Sequence, residues 1–184
     1  MLGLMFNLVE RYVIEHGAET ALERALTTAG LSDQDPWLDS LRYPDADFER
    51  WLDAVAQGRD IAASDCARQI ARWAAPRLLR RYSSLCFGYK EPLSLLADMP
   101  GNIYPNLHRM LGADPGLGIK LIQADPGRVQ LESRAGSLIC PLLEGLLLGL
   151  GDHYDKPLRI LQTQCVVRGD ACCQYEVRPA GAGA

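Results

Sequence analysis

The sequence predicts an α+β fold, with an N-terminal helical lobe packed on a C-terminal four-stranded antiparallel sheet. Three observations carry this expectation. The apolar residues keep a helical period as far as about Leu111 and a period of two from Gly118. Two pairs of alternating segments each close on turn residues, Asp125-Pro126-Gly127 and Arg168-Gly169-Asp170. Between the pairs lies one strongly apolar stretch, Leu138 to Tyr154, so the second half reads β-β-α-β-β. Such a sheet needs a cover over one face, and the N-terminal helices are the available cover.

Leu4, Leu8, Tyr12 and Ile14 share one face of a first helix ending near Gly17, whose missing Cβ suits a left-handed cap. A second helix runs from about Glu19 to Ala29 and closes at Gly30. Asp45 or Asp47 is placed to N-cap a third helix around Trp51 to Ala56, an Asx side chain there accepting from first-turn amides. The long helix from about Ile61 to Tyr82 turns Ile70, Trp73, Leu78 and Leu79 inward and is expected to kink at Pro76. Its Arg68, Arg72, Arg77, Arg80 and Arg81 read as a solvated face. Two short helices follow, about Pro92 to Ala97 and Tyr104 to Leu111. The strands are Ile119 to Gln123, Val129 to Ser133, Leu158 to Val167 and Cys173 to Val177. This gives one domain over residues 1–180, with a helical lobe of about 1–112, a sheet lobe of about 113–180 and a frayed tail, 181–184.

The 184 residues are 48% hydrophobic and 23% charged, enough for a globular domain rather than a disordered chain. A net charge of -4 gives no electrostatic attraction to a polyanion, so nucleic acid is not an expected partner. The opening Met-Leu-Gly-Leu-Met-Phe has no basic region before its apolar residues and reaches Glu10, unlike a secretory signal. Leu138 to Gly151 contains Glu144 and is shorter than the ~20 residues of a bilayer span. A cytoplasmic location with reduced thiols is therefore expected, and no membrane partner.

Four of the six cysteines, Cys140, Cys165, Cys172 and Cys173, fall in the sheet half. Cys165 and Cys173 flank the Arg168-Gly169-Asp170 turn, and Cys140 starts the preceding helix. A tetrahedral zinc site needs four N or S donors, and here Cys172, Gln162 or a water would be the fourth. Adjacent Cys172 and Cys173 point to opposite faces of a strand, so one of them faces the cluster. The alternative is that the thiols pack as small hydrophobes, as Cys66 and Cys86 are expected to do. Of the three histidines, His16 and His153 read as solvated helix-end side chains. His108 lies on the helix before the sheet, where an inward imidazole would ligate a haem iron; Tyr104, one turn earlier, is a second axial candidate. The chain lacks a Gly-x-Ser-x-Gly elbow, a Walker loop and a Gly-x-Gly-x-x-Gly, which favours a binding module over an enzyme.

Several motifs resemble the haem-nitric oxide/oxygen-binding (H-NOX) family over nearly the whole chain. They are Met1-Leu-Gly-Leu-Met-Phe-Asn-Leu-Val-Glu, Gly17 to Leu31, Tyr43-Pro-Asp, Cys140-Pro-Leu-Leu-Glu-Gly and Cys165-Val-Val-Arg-Gly-Asp-Ala-Cys-Cys. The closing hairpin is also similar to 4-vinyl reductase domains, sensors of small hydrophobic molecules. The resemblance implies haem b held between the two layers, nitric oxide as stimulus, and a separate signalling partner such as a histidine kinase or a cyclic-dinucleotide enzyme. Its ligand position falls on Tyr104 in an ungapped count from Cys140, on His108 if Pro105-Asn-Leu-His is matched, and on Met99 or Pro100 if Tyr104-Pro105 is matched. The family's propionate-binding Tyr-x-Ser-x-Arg falls on Ser133, Ala135 and Ser137, or with a two-residue slip on Leu131, Ser133 and Ala135, leaving Arg134 one position off. Pocket residues implied are Met5, Val9, Trp73, Leu78, Tyr104, His108 and Pro115. The resemblance also implies zinc on Cys140, Cys165 and Cys173, with Gln162 where the family has a histidine and Cys172 as its replacement. A haem-free variant would sense oxidants through zinc-bound thiolates or take a small hydrophobic ligand in its cleft.

Overall fold

The computed structural model describes residues 1–17, 19–32, 35–112, 118–134 and 139–181. Most of the expected tail, 182–184, lies outside the described residues, as do Pro115, Ala135, Ser137 and Leu138. Helices α1 (Gly3–Gly17), α2 (Glu19–Ala29), α3 (Asp45–Gly58) and α4 (Ala63–Arg81) form the helical lobe, and the short α5 (Ser83–Cys86) leaves it. The lobe has its own aromatic core. Phe6 stacks on Trp37 with centroids 4.1 Å apart and meets Phe48 edge-on, while Trp51 and Leu52 are wholly buried beside them. Gly3 lets the 37–43 loop in, because a Cβ there would stand 2.2 Å from the Leu38 carbonyl oxygen.

Local details differ from the sequence reading where tertiary contacts intervene. Gly17 ends α1 without a left-handed φ; the left-handed residue is Gly30, at φ +68. Pro44, not an aspartate, takes the N-cap of α3. Asp45 and Asp47 sit in its first turn, where their carboxylates complement the helix dipole and pair with the Met1 ammonium and Arg50. Four arginines of α4 are cross-braces rather than a solvated face. Arg68 pairs with Glu144, Arg72 with Asp152, Arg77 with Glu15 and Arg81 with Asp39.

The two expected short helices are one continuous wall: α6 (Pro92–Asp98), a π turn (Met99–Ile103) and α7 (Tyr104–Leu111). Pro100 and Pro105 have no N–H to give to the turn before them, so the ordinary ladder cannot run through this stretch. The Tyr104 amide instead reaches back five residues to the Met99 carbonyl.

The sheet comprises β1 (Ile119–Asp125), β2 (Arg128–Ser133), β3 (Leu158–Gln164) and β4 (Cys173–Pro179), antiparallel in the order β1-β2-β4-β3. Gly127, at φ +81, supplies the turn between β1 and β2. β3 ends earlier than Val167 because the Asp170 carboxylate accepts from the Cys165 amide at 2.7 Å, and the Asp170 N–H returns to the Cys165 carbonyl. That pinch winds Val166–Arg168 into a 3-10 turn.

α8 (Ile139–His153) lies between the sheet and α4. Its glycines set the spacing. A Cβ on Gly145 would stand 2.3 Å from the Arg68 carbonyl oxygen, and one on Gly149 2.3 Å from that of Arg72 and 2.7 Å from the Ala75 Cβ. Among the described residues, no helix is long and apolar enough to cross a membrane.

Replacing a helical glycine by alanine ordinarily stabilises by about 0.5–1 kcal/mol, as expected for Gly58→Ala, where the added Cβ meets nothing within 4 Å. Gly149→Ala reverses the sign, with an expected loss of about 1–3 kcal/mol from overpacking in urea unfolding. The two-pronged Arg72–Asp152 pair, at 2.6 and 2.8 Å, holds the Asp152 carboxyl below its ordinary range. A carboxyl depressed in the folded state stabilises above its unfolded value, ~3.9, and loses that contribution as pH falls through the folded one. Asp152→Asn should therefore lose less stability than the native chain on acidification from about pH 5 to pH 3.

Candidate functional site

The α6–π–α7 wall, the end of α4 and the inner faces of α8, β1 and β2 line a partly open chamber of about 150 Å³. Its lining is aliphatic almost throughout. Leu78 and Leu79 come from α4, Leu95 and Leu96 from α6, Ile103 and Leu107 from the wall, Ile119 and Leu131 from the sheet, and Leu143, Leu146, Leu147 and Leu150 from α8. The side chains with heteroatoms are Tyr82, Cys86, Met99 and Tyr104. Burial pushes the Tyr82 phenol up; the Arg81 guanidinium pulls it down and the Asp39 carboxylate pushes it up further. Burial also pushes the Cys86 thiol up. Both groups therefore stay protonated and neutral at ordinary pH.

The residues expected at a pocket divide. Leu78 and Tyr104 line the chamber, whereas Met5 and Val9 are buried in the helical lobe away from it. Trp73 lies edge-on to Tyr12 with the Arg77 guanidinium 3.8 Å above its ring, outside the lining. His108 is exposed on α7 and does not line the chamber, so an inward imidazole is not what the fold presents. Pro115 is outside the described residues. Met99, one of the alternative ligand positions, also lines the chamber, and Tyr82, Cys86 and the α8 leucines are wall residues that the sequence reading did not place at a pocket. The four-residue spacing of Leu78 and Tyr82 at the end of an amphipathic helix was the available cue.

A haem held by histidine does not fit this lining. The other two histidines are also elsewhere: His16 stacks on Tyr12 at 4.2 Å, and His153 meets Tyr154 at the end of α8. No lysine or arginine lines the chamber among the described residues, and the residues outside the description include no histidine, lysine or arginine. Two propionates would thus lack a bidentate cation on the wall.

At the N-terminal end of α8 a second cluster forms. The Cys140 sulfur lies 2.9 Å from that of Cys173 and 3.9 Å from that of Cys165, and all three are buried. The Arg168-Gly169-Asp170 turn, with Gly169 at φ +93, brings the hairpin's two sulfurs under the helix. The three lie within 4.8 Å of one another and can hold a metal ion. Cys172 is turned away, its thiol against Gln164 and Gln174. Gln162 is engaged too: its amide donates to the Tyr175 hydroxyl at 3.1 Å. Burial, with Cys173 alongside, pushes the Cys140 thiol up to about 12, against the pull of the Tyr175 hydroxyl. Burial opposes ionisation of Cys165 as well, but hydrogen bonds from the Val167 backbone, both neighbouring thiols and the Arg168 backbone bring it below its ordinary value.

A helical lobe over an antiparallel sheet, a partly open apolar chamber between them and a thiol cluster at one end define the class of α+β domain to which the chain belongs. A family model described as haem-NO-binding (HNOB) matches residues 2–162, and the chain belongs to that family, the H-NOX domains, which are haem-based gas sensors. No curated protein matches the sequence. Among solved structures, the H-NOX protein from S. oneidensis in its Fe(II)NO ligation state superposes with a TM-score of 0.88 at 18% identity, covering 98% of this chain and 100% of that one. The unliganded Fe(II) H-NOX protein from K. algicida gives 0.82 at 14%, covering 100% and 99%. The IWP-051-bound H-NOX from Shewanella woodyi gives 0.82 at 13%, covering 100% and 97%.

Proposed function

We propose that the chain is a cytoplasmic sensory domain, a binding module rather than an enzyme, in which occupancy of the chamber sets the position of the α6–π–α7 wall. The observation that carries this reading is the origin of the lining: both lobes contribute to it, so a ligand that fills it favours one packing of the lobes over another. The π turn is the part of the wall with the least regular bonding, and it bears Met99 and Ile103 directly on the chamber. A separate signalling protein, of the histidine kinase or cyclic-dinucleotide class, would read the displaced wall. The ligand is a diatomic gas or a small hydrophobic molecule, because the lining offers no charge.

A second reading, a haem-based sensor, is favoured by the family and by the place of the Tyr104 phenol on the wall, although a tyrosinate ligand would favour ferric iron and a poor response to nitric oxide. Expression with added haem precursor separates the two. The first reading expects no Soret band in the purified protein. A band that disappears in Tyr104→Phe and survives in His108→Ala would replace it with the second.

The thiol trio supports a bound zinc, whose preference for soft tetrahedral donors Cys140, Cys165 and Cys173 meet in part. When bound, zinc would fasten α8 to the β3–β4 hairpin and present thiolates to oxidants. Metal analysis should find about one zinc per chain in the native protein and in Cys172→Ser, but little in Cys165→Ser. Equal content in all three proteins would discard the site.

A further inference from the structure

Tyr82 is the odd member of the chamber wall. It stands between α4 and α5, its amide tied to the Leu78 carbonyl at 2.9 Å and its ring near the Arg81 guanidinium. Its hydroxyl is shut off from solvent and has no hydrogen-bond partner among the described residues. A buried donor of this kind is costly unless something accepts from it, and a phenylalanine would fill the same space without that cost.

We propose that the chamber takes a neutral, largely apolar molecule about the size of one ring, carrying a single hydrogen-bond acceptor, and that Tyr82 reads that acceptor. This rests on the reading of the chamber as the receiving site and names its ligand class. Size follows from the volume: an engineered apolar cavity of ~150 Å³ admits benzene, and this one is of the same order. Neutrality follows from the wall, where a charged ligand would lose its hydration without gaining a counter-ion. The acceptor follows from Tyr82, since burial keeps its phenol protonated and therefore a donor. Cys86, one turn on, adds a soft, weakly polar surface beside it.

Calorimetric titration of the full chain with acetophenone and with ethylbenzene tests the inference, because the two share shape and differ in the carbonyl. The native protein is expected to bind acetophenone about five- to tenfold more tightly. Tyr82→Phe should abolish that preference while still binding ethylbenzene, and in the free state it should unfold at the same temperature or higher, having lost an unsatisfied donor. If both compounds bind without preference, or the preference survives in Tyr82→Phe, Tyr82 does not read the ligand although the chamber remains a receiver. A marked fall in the unfolding temperature of Tyr82→Phe would mean that the hydroxyl has a partner within the protein, and would overturn the inference. If neither compound binds the native protein, the chamber reading itself fails.

Discussion

The close approach of α8 to α4 is the constraint on which the rest of the molecule depends. Gly145 and Gly149 put bare backbone against α4, where Ala71 and Ala75 meet them, and nothing larger fits at either contact. Two ion pairs, Arg68–Glu144 and Arg72–Asp152, bracket this seam and fix its register along the helix axes. With one face of α8 committed to the seam, its leucines at 143, 146, 147 and 150 turn to the chamber. The void is therefore a product of the packing: α4 and α8 meet through small residues, and further along α4 the wall of Leu78, Leu79 and Tyr82 stands back from α8.

The same helix ties the chamber to the thiols. Cys140 begins α8, and Leu143 lies one turn further on at the chamber. The sheet repeats this arrangement, for Leu131 and Ser133 are two residues apart on one face of β2; Leu131 lines the chamber and Ser133 lies opposite Cys173 on β4. A close-packed helix is a rigid body, so the position of α8 set by the α4 seam fixes both the chamber wall and the Cys140 sulfur. The two candidate sites share α8 and β2 as common walls.

The α+β class and the β-β-α-β-β order were legible because both rest on local rules: a change of hydrophobic period near Gly118 and turn residues at Gly127 and Gly169. The continuity of α6 and α7 was not, because the residues between Ala97 and Tyr104 carry no helical pattern and a π turn has no composition of its own. Tyr104 and His108 part although both lie in the regular helix α7, because i+3 and i+4 neighbours flank a residue on opposite sides. The chamber-facing stripe continues from Tyr104 to Leu107, the three-residue neighbour, and leaves the four-residue neighbour His108 in solvent. The arginines of α4 were illegible for another reason. Their partners Glu15, Asp39, Glu144 and Asp152 lie far away in sequence, and a guanidinium looks the same in a helical pattern whether it faces water or a distant carboxylate.

The electrostatics of the wall decide between classes of ligand more sharply than its volume does. Cations do stand near the ends of the lining elements, but they are engaged: Arg81, next to Tyr82, is paired with Asp39 at 2.5 Å, and Arg134, just beyond β2, with Glu132 at 2.8 Å. Drawing either to a ligand carboxylate would break an existing pair and leave its acid without a partner, so the gain from the new contact is offset by the loss of the old. A chamber of this composition discriminates against charge by desolvation, and the Tyr82 hydroxyl, without a partner among the described residues, would favour a ligand that carries an acceptor. What remains is the class of weakly polar neutral molecules, which cross membranes without a carrier and reach a buried receiver by diffusion alone.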